Sequence, residues 1–201
     1  MTFKKIFTFS LLSFLLINST FSLTIGDKAP SFKLTGHDNK SYSLTDLKGK
    51  WVVLEWFNQD CPFVKKHYDS GNMQQIQQEF TKKGVQWFSI SSSAEGKQGH
   101  LTSADEANKV FVTAKSQATS ILLDKESALG KIYQAQTTPH MFIIDPKGKI
   151  AYEGAIDDHP SAQSSDIPQS KNYIVEALNA GMNGKKIAVQ KTKPYGGSVK
   201  Y

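Results

Sequence analysis

Cys61 is the only cysteine among 201 residues, and its setting is the part of the chain best equipped for chemistry. The string Val52-Val53-Leu54-Glu55-Trp56-Phe57-Asn58-Gln59-Asp60-Cys61-Pro62 runs from an apolar segment with the length of a buried strand into a proline suited to the first turn of a helix. A cysteine at such a junction meets unpaired backbone N–H groups and the positive end of the helix dipole, both of which favour thiolate over thiol. Only the thiolate attacks, so the placement suits nucleophilic sulfur chemistry on a disulfide or a peroxide. A lone cysteine forms no internal disulfide, and in an exported chain it points to a reactive thiol or to pairing with a second molecule. A buried, inert cysteine is the alternative.

The elements that would hold this thiol alternate. Ser31 to Leu34, a turn at His37-Asp38-Asn39 and Ser41 to Leu44 form a small N-terminal hairpin, followed by a helical turn at Thr45 to Gly49. Trp51 to Phe57 is a central strand, and a helix starts at Cys61-Pro62 and runs to Gly84, bent or broken at Gly71. Strands follow at Val85 to Ser91, Ser120 to Asp124, Met141 to Ile144 and Ile150 to Ile156. Helices fall at Ser103 to Gln117, Ser127 to Gln134 and Asn172 to Ala180. A βαβ half followed by a hairpin and a helix defines an α/β fold with a mixed sheet. Asp157 to Lys171 is a polar loop. Lys185 to Tyr201 carries five lysines and no acid, and reads as a basic tail, either solvated or reaching back over the active face.

Composition narrows the partners. The formal net charge is +6, with 39% apolar and 21% charged residues, and every basic side chain is a lysine. Without arginine, the bidentate reader of guanine and phosphate, nucleic acid is not expected as a partner. Lys4 and Lys5, the apolar run Ile6 to Ile17, and the small residues Thr20 and Ser22 have the layout of a secretory signal cut after about Ser22. The expected organisation is a signal over 1–22, one domain over 23–184 and a tail over 185–201, with a periplasmic or secreted destination and no stable membrane span after cleavage. Cys61 with His67, His140 or His159 has no recognisable ligand spacing, so neither a metal nor another cofactor is expected.

Gly26-Asp27-Lys28-Ala29-Pro30-Ser31-Phe32, the strand ending in Cys61-Pro62, Thr138-Pro139 before a strand, and Asp145-Pro146-Lys147-Gly148 together resemble the redoxin branch of the thioredoxin-fold superfamily, over nearly all of the mature chain. Asn58 to Tyr68, Thr138-Pro139-His140 and the ending Pro194 to Tyr201 are similar to exported bacterial peroxiredoxin-like proteins of the AhpC/TSA-related group. The resemblance implies a thioredoxin-like fold with an N-terminal hairpin extension and an antioxidant thiol oxidoreductase. It places Cys61 at the attacking position and Val64 at the usual resolving position, which leaves no local disulfide. Peroxiredoxins carry threonine or serine three residues before the cysteine, where this chain has Asn58, and an arginine that is absent here. Related tails end in a Tyr-Gly-Cys-Ser-Val-Lys-Tyr-like string whose cysteine could resolve; this chain has Gly197 there.

An oxidised Cys61 would therefore await an external thiol reductant or redox partner protein, or a second copy linked through Cys61. The resemblance makes Pro139 the superfamily's cis-proline, with a rigid trans turn as the alternative, and has Thr138 and Pro139 pair with the substrate backbone. Glu55 corresponds to a buried proton-moving acid, or else is a solvated edge carboxylate. His140 either tunes Cys61 or points into the core. Lys65, Lys66 and His67 read as a solvated helix face, with Lys65 adding positive potential near the thiolate. A non-catalytic peptide-binding module on the same scaffold is the competing function.

Overall fold

The computed structural model describes residues 23–201, so the expected signal segment lies outside them. β1 (Lys33–Gly36) and β2 (Ser41–Ser43) form the hairpin, two residues later at its start than the sequence suggested. Their register, Lys33 opposite Ser43 and Thr35 opposite Ser41, is closed by Asp38, whose carboxylate accepts from Lys40 N–H and the Tyr42 hydroxyl. A 3-10 turn at Leu44–Leu47 leads into β3 (Val52–Trp56). The predicted long helix is two, α1 (Pro62–Asp69) and α2 (Asn72–Lys82), because Gly71 at φ 78° takes a left-handed conformation that a helix interior cannot hold.

β4 (Gln86–Ser91), α3 (Ala104–Thr113), β5 (Ser120–Leu123) and α4 (Ala128–Ile132) complete the parallel half. Ser103 caps α3 by accepting from Glu106 N–H. β6 (Thr137–Thr138), β7 (Met141–Ile144), β8 (Ile150–Gly154) and α5 (Tyr173–Met182) follow, and β9 (Gly197–Ser198) lies in the tail. The polar loop between β8 and α5 contains a 3-10 turn at Ser164–Gln169.

Seven strands form one sheet in the order β2-β1-β5-β4-β3-β7-β8. β3 runs parallel to β4, β4 parallel to β5, and the remaining pairs are antiparallel. β3 is therefore central and buried on both faces, which its apolar run required. Val53 and Phe57 point into one core layer, closed by α1, α2, α3 and α5. Val52, Leu54 and Trp56 point into the other, closed by Phe32, Leu129 and Tyr133. The tail strand β9 stands apart, pairing with β6 in a separate two-stranded sheet.

Candidate active site

β3 delivers the chain through a turn whose bonds fix Cys61. Cys61 N–H donates to Asn58 O at 3.1 Å, and Asp60 N–H donates to Asn58 Oδ1 at 2.9 Å. Asn58 Nδ2 in turn donates to Gln98 O, and the side chain is buried. Asn58 thus serves the turn and the loop beyond β4. Cys61 is the N-cap of α1, with Pro62 exposed at its first position. Its carbonyl accepts from Val64 and Lys65 N–H, while its Sγ donates to Thr138 O at 3.2 Å. The Thr138–Pro139 peptide bond is cis.

Cys61 is only 3% exposed, and Gly197 of the tail lies against its sulfur. β9 runs antiparallel to β6 with Thr138 opposite Gly197 and Thr137 opposite Ser198. A Cβ built on Gly197 would lie 3.1 Å from Cys61 Sγ, and one on Gly196 would lie 2.2 Å from Thr138 O. The reading of the tail as a solvated terminus is therefore corrected: it crosses the thiol and pairs with the loop beside it.

Glu55, His140 and the helix face of Lys65, Lys66 and His67 each take a definite place. Glu55 is not a solvated edge carboxylate. It is fully buried on the α1/α2 side of β3, accepting from Tyr68 hydroxyl, Trp87 Nε1–H, Ser89 hydroxyl and Gln77 amide. Burial raises its pKa, and these donors oppose the rise. His140 is buried with its ring 4.6 Å from that of Phe142, and its Nδ1 accepts from Gln136 N–H at 3.2 Å. Burial, with Lys191 nearby, drops its pKa to about 3, so the ring is neutral and a weak base.

The solvated helix face is the third. Lys65 is exposed, on a groove of about 340 Å³ with Phe57, Gln59, Val64, Tyr68 and Lys109. Lys66 and His67 are buried instead, because they project toward the polar loop. Lys66 Nζ donates to Asp157 Oδ2 at 3.3 Å, His159 O at 2.9 Å and Tyr195 hydroxyl at 3.2 Å. Tyr195 hydroxyl donates to Asp157 Oδ1 at 2.5 Å. Burial lowers the pKa of His67 to about 4 against the attraction of Asp157.

Sequence reasoning missed this cluster and the β6–β9 pairing. The signal available was a Gly-Gly step with Tyr195 directly before it and Tyr201 four residues beyond it, in a tail rich in lysine. Among the described residues no three His, Cys, Asp or Glu side chains gather as a metal site would need.

A cysteine at the end of a central parallel strand, capping a helix and facing a proline loop, on a mixed sheet with helices on both faces, defines a thioredoxin-like protein. The chain belongs to the AhpC/TSA family, whose model matches residues 25–153. It is 28% identical over 131 residues to the thiol-disulfide oxidoreductase ResA of Bacillus thuringiensis subsp. konkukian, an alignment covering 65% of this chain and 69% of that protein. It superposes on an uncharacterized conserved protein from Geobacillus kaustophilus with TM-score 0.72 at 26% identity, covering 90% of this chain and 93% of the other. The thioredoxin domain of a thiol-disulfide oxidoreductase from Bacteroides vulgatus gives TM-score 0.54 at 20% identity, covering 74% and 98%.

Proposed function

We propose that this chain is an exported thiol oxidoreductase in which Cys61 is the nucleophile. The observation that carries the reading is the sole thiol at the N-cap of α1, bonded to the carbonyl of the Thr138–Pro139 loop. In a disulfide reaction, the Cys61 thiolate attacks one sulfur of the substrate, a new S–S bond forms, and the other sulfur leaves as a thiolate that takes up a proton. An external thiol then attacks the mixed disulfide, leaves with the substrate sulfur as a new disulfide, and returns Cys61 as thiolate. Such a thiol is required because Val64 holds the resolving position and the chain has no second cysteine.

Disulfides are the better substrate. The similarity to ResA supports them, and Asn58 commits its amide to the local turn. Peroxide reduction, forming a sulfenic acid and then a mixed disulfide with the external thiol, is the weaker activity. Thr138 and Pro139 shape the substrate-backbone site, Pro62 starts the helix that serves the thiolate, Glu55 acts through Tyr68 on α1, and Lys65 adds positive potential at the surface. The N-terminal segment directs export to the periplasm. A non-catalytic peptide-binding role is the second reading, favoured by the near-complete cover over Cys61.

Turnover of glutathione disulfide with a dithiol reductant separates the two. Activity that disappears in Cys61→Ser, with a Cys61–glutathione adduct visible by intact mass in the natural chain, supports the enzyme. Activity equal in both proteins, or no adduct, overturns it.

A further inference from the structure

The backbone edge beside Cys61 is already occupied, and by the chain itself. β9 bonds β6 through Thr138 and Gly197, Val199 N–H donates to Gln136 O at 3.0 Å, and Gly197 lies over the sulfur. Anything that approaches Cys61 along Thr137–Thr138 must take the place of Gly196–Ser198. Resting on the reading of Cys61 as a nucleophile toward disulfides with the substrate backbone at Thr138 and Pro139, we infer that the tail is an internal gate: Gly196–Ser198 hold the edge of β6 beside Cys61 until a substrate segment replaces them.

The seat has a register. A Cβ at the position of Gly197 lies 3.1 Å from Cys61 Sγ, close to the ~3 Å between a Cβ and the far sulfur of a disulfide. A substrate half-cystine docked opposite Thr138 would present its sulfur to Cys61 at bonding range. The segment that opens the gate is therefore an extended stretch of polypeptide carrying that half-cystine. Its half-cystine forms the new S–S bond with Cys61, while its former partner sulfur leaves as thiolate.

The tail is built to occupy this place without reacting. Gly196 has φ 141°, a conformation reserved for glycine, and any side chain there would strike Thr138 O. Gly-Gly thus lets bare backbone pass over the thiol. Two tyrosines latch the ends. Tyr195 binds Asp157 and Lys66 and packs its ring against Phe63, while Tyr201 hydroxyl donates to Ala135 O at 2.8 Å. Between the latches β9 is two residues long, and its displacement would also break the bonds from Val199 N–H to Gln136 O and from Ala94 N–H to Lys200 O.

The test keeps the whole chain. Gly196→Ala is sterically excluded from the closed path, and Tyr201→Ala removes the distal latch; both lie in the tail, and near-UV circular dichroism confirms that the body is folded. The expected result is at least a tenfold faster reaction of Cys61 with iodoacetamide in Gly196→Ala, and an intermediate gain in Tyr201→Ala. A synthetic peptide with the sequence of Lys193 to Tyr201, added in trans, should slow Gly196→Ala back toward the natural rate, and a scrambled peptide should not. Equal alkylation rates in all three proteins, or equal effects of the two peptides, overturn the inference. Equal rates together with Cys61-dependent turnover would leave the oxidoreductase reading intact. Conversely, tail-gated alkylation without any glutathione adduct in the natural chain or Gly196→Ala would defeat that reading and keep the gate.

Discussion

Gly197 and Cys61, far apart in sequence, are placed so that a Cβ on the glycine would stand 3.1 Å from the sulfur. Gly197 does not itself occupy a left-handed conformation, so a side chain there needs no backbone change. Gly197→Cys should therefore form an internal disulfide with Cys61 on mild oxidation. Intact mass should show the loss of two hydrogen atoms, with no thiol left to titrate. Two persistent free thiols would mean that the tail leaves Cys61 in solution.

Neighbouring lysines should behave oppositely. Lys66 is fully buried and holds Asp157, His159 O and Tyr195 together, so Lys66→Met strands a buried carboxylate and should cost about 3–5 kcal/mol in urea unfolding. Lys65 is exposed with no ion pair among the described residues, and Lys65→Ala should change stability by no more than ~0.5 kcal/mol. Similar losses in the two variants would refute this division of the helix.

What was legible in the sequence followed from local rules. The mostly apolar run Trp51 to Phe57 required a doubly covered strand, Pro62 marked a helix start, and Ser103 with Glu106 marked another. The long-range polar contacts were not legible. Lys66 reads as a surface residue by type, and only the arrival of Asp157 and Tyr195 from distant segments makes its burial tolerable. Glu55 was ambiguous for the same reason, since its donors come from α1, α2 and β4. The β6–β9 pair is two residues long on each side, beneath what a periodic pattern can signal.

Glu55 ties the helix that Cys61 starts to the sheet behind it. Removing its carboxylate leaves the Trp87 indole N–H, the Ser89 hydroxyl and the Gln77 amide without their common acceptor in a buried site. Glu55→Ala should lose at least ~3 kcal/mol of stability by denaturant titration. A loss below ~1 kcal/mol would show that the donors find other partners.

Two buried histidines set an acid limit. The pKa of His67 is pushed down to about 4 and that of His140 to about 3, by burial above all. In the unfolded chain both titrate near the ordinary ~6.5. Below that value the unfolded chain takes up protons that the folded chain refuses, so their contribution is full above pH ~6.5 and is lost as the pH falls toward the folded values. Each histidine should cost about 2 kcal/mol between pH 7 and pH 5. Glu55 has the opposite sign, because its raised pKa lets the folded chain gain a proton first, and it offsets part of this loss. His140→Asn offers an acceptor to Gln136 N–H but has nothing to protonate, so its stability should fall less steeply over the same interval. Urea unfolding of both proteins at pH 7 and pH 5 measures the difference, and equal losses would show that His140 is accessible to protons in the folded chain.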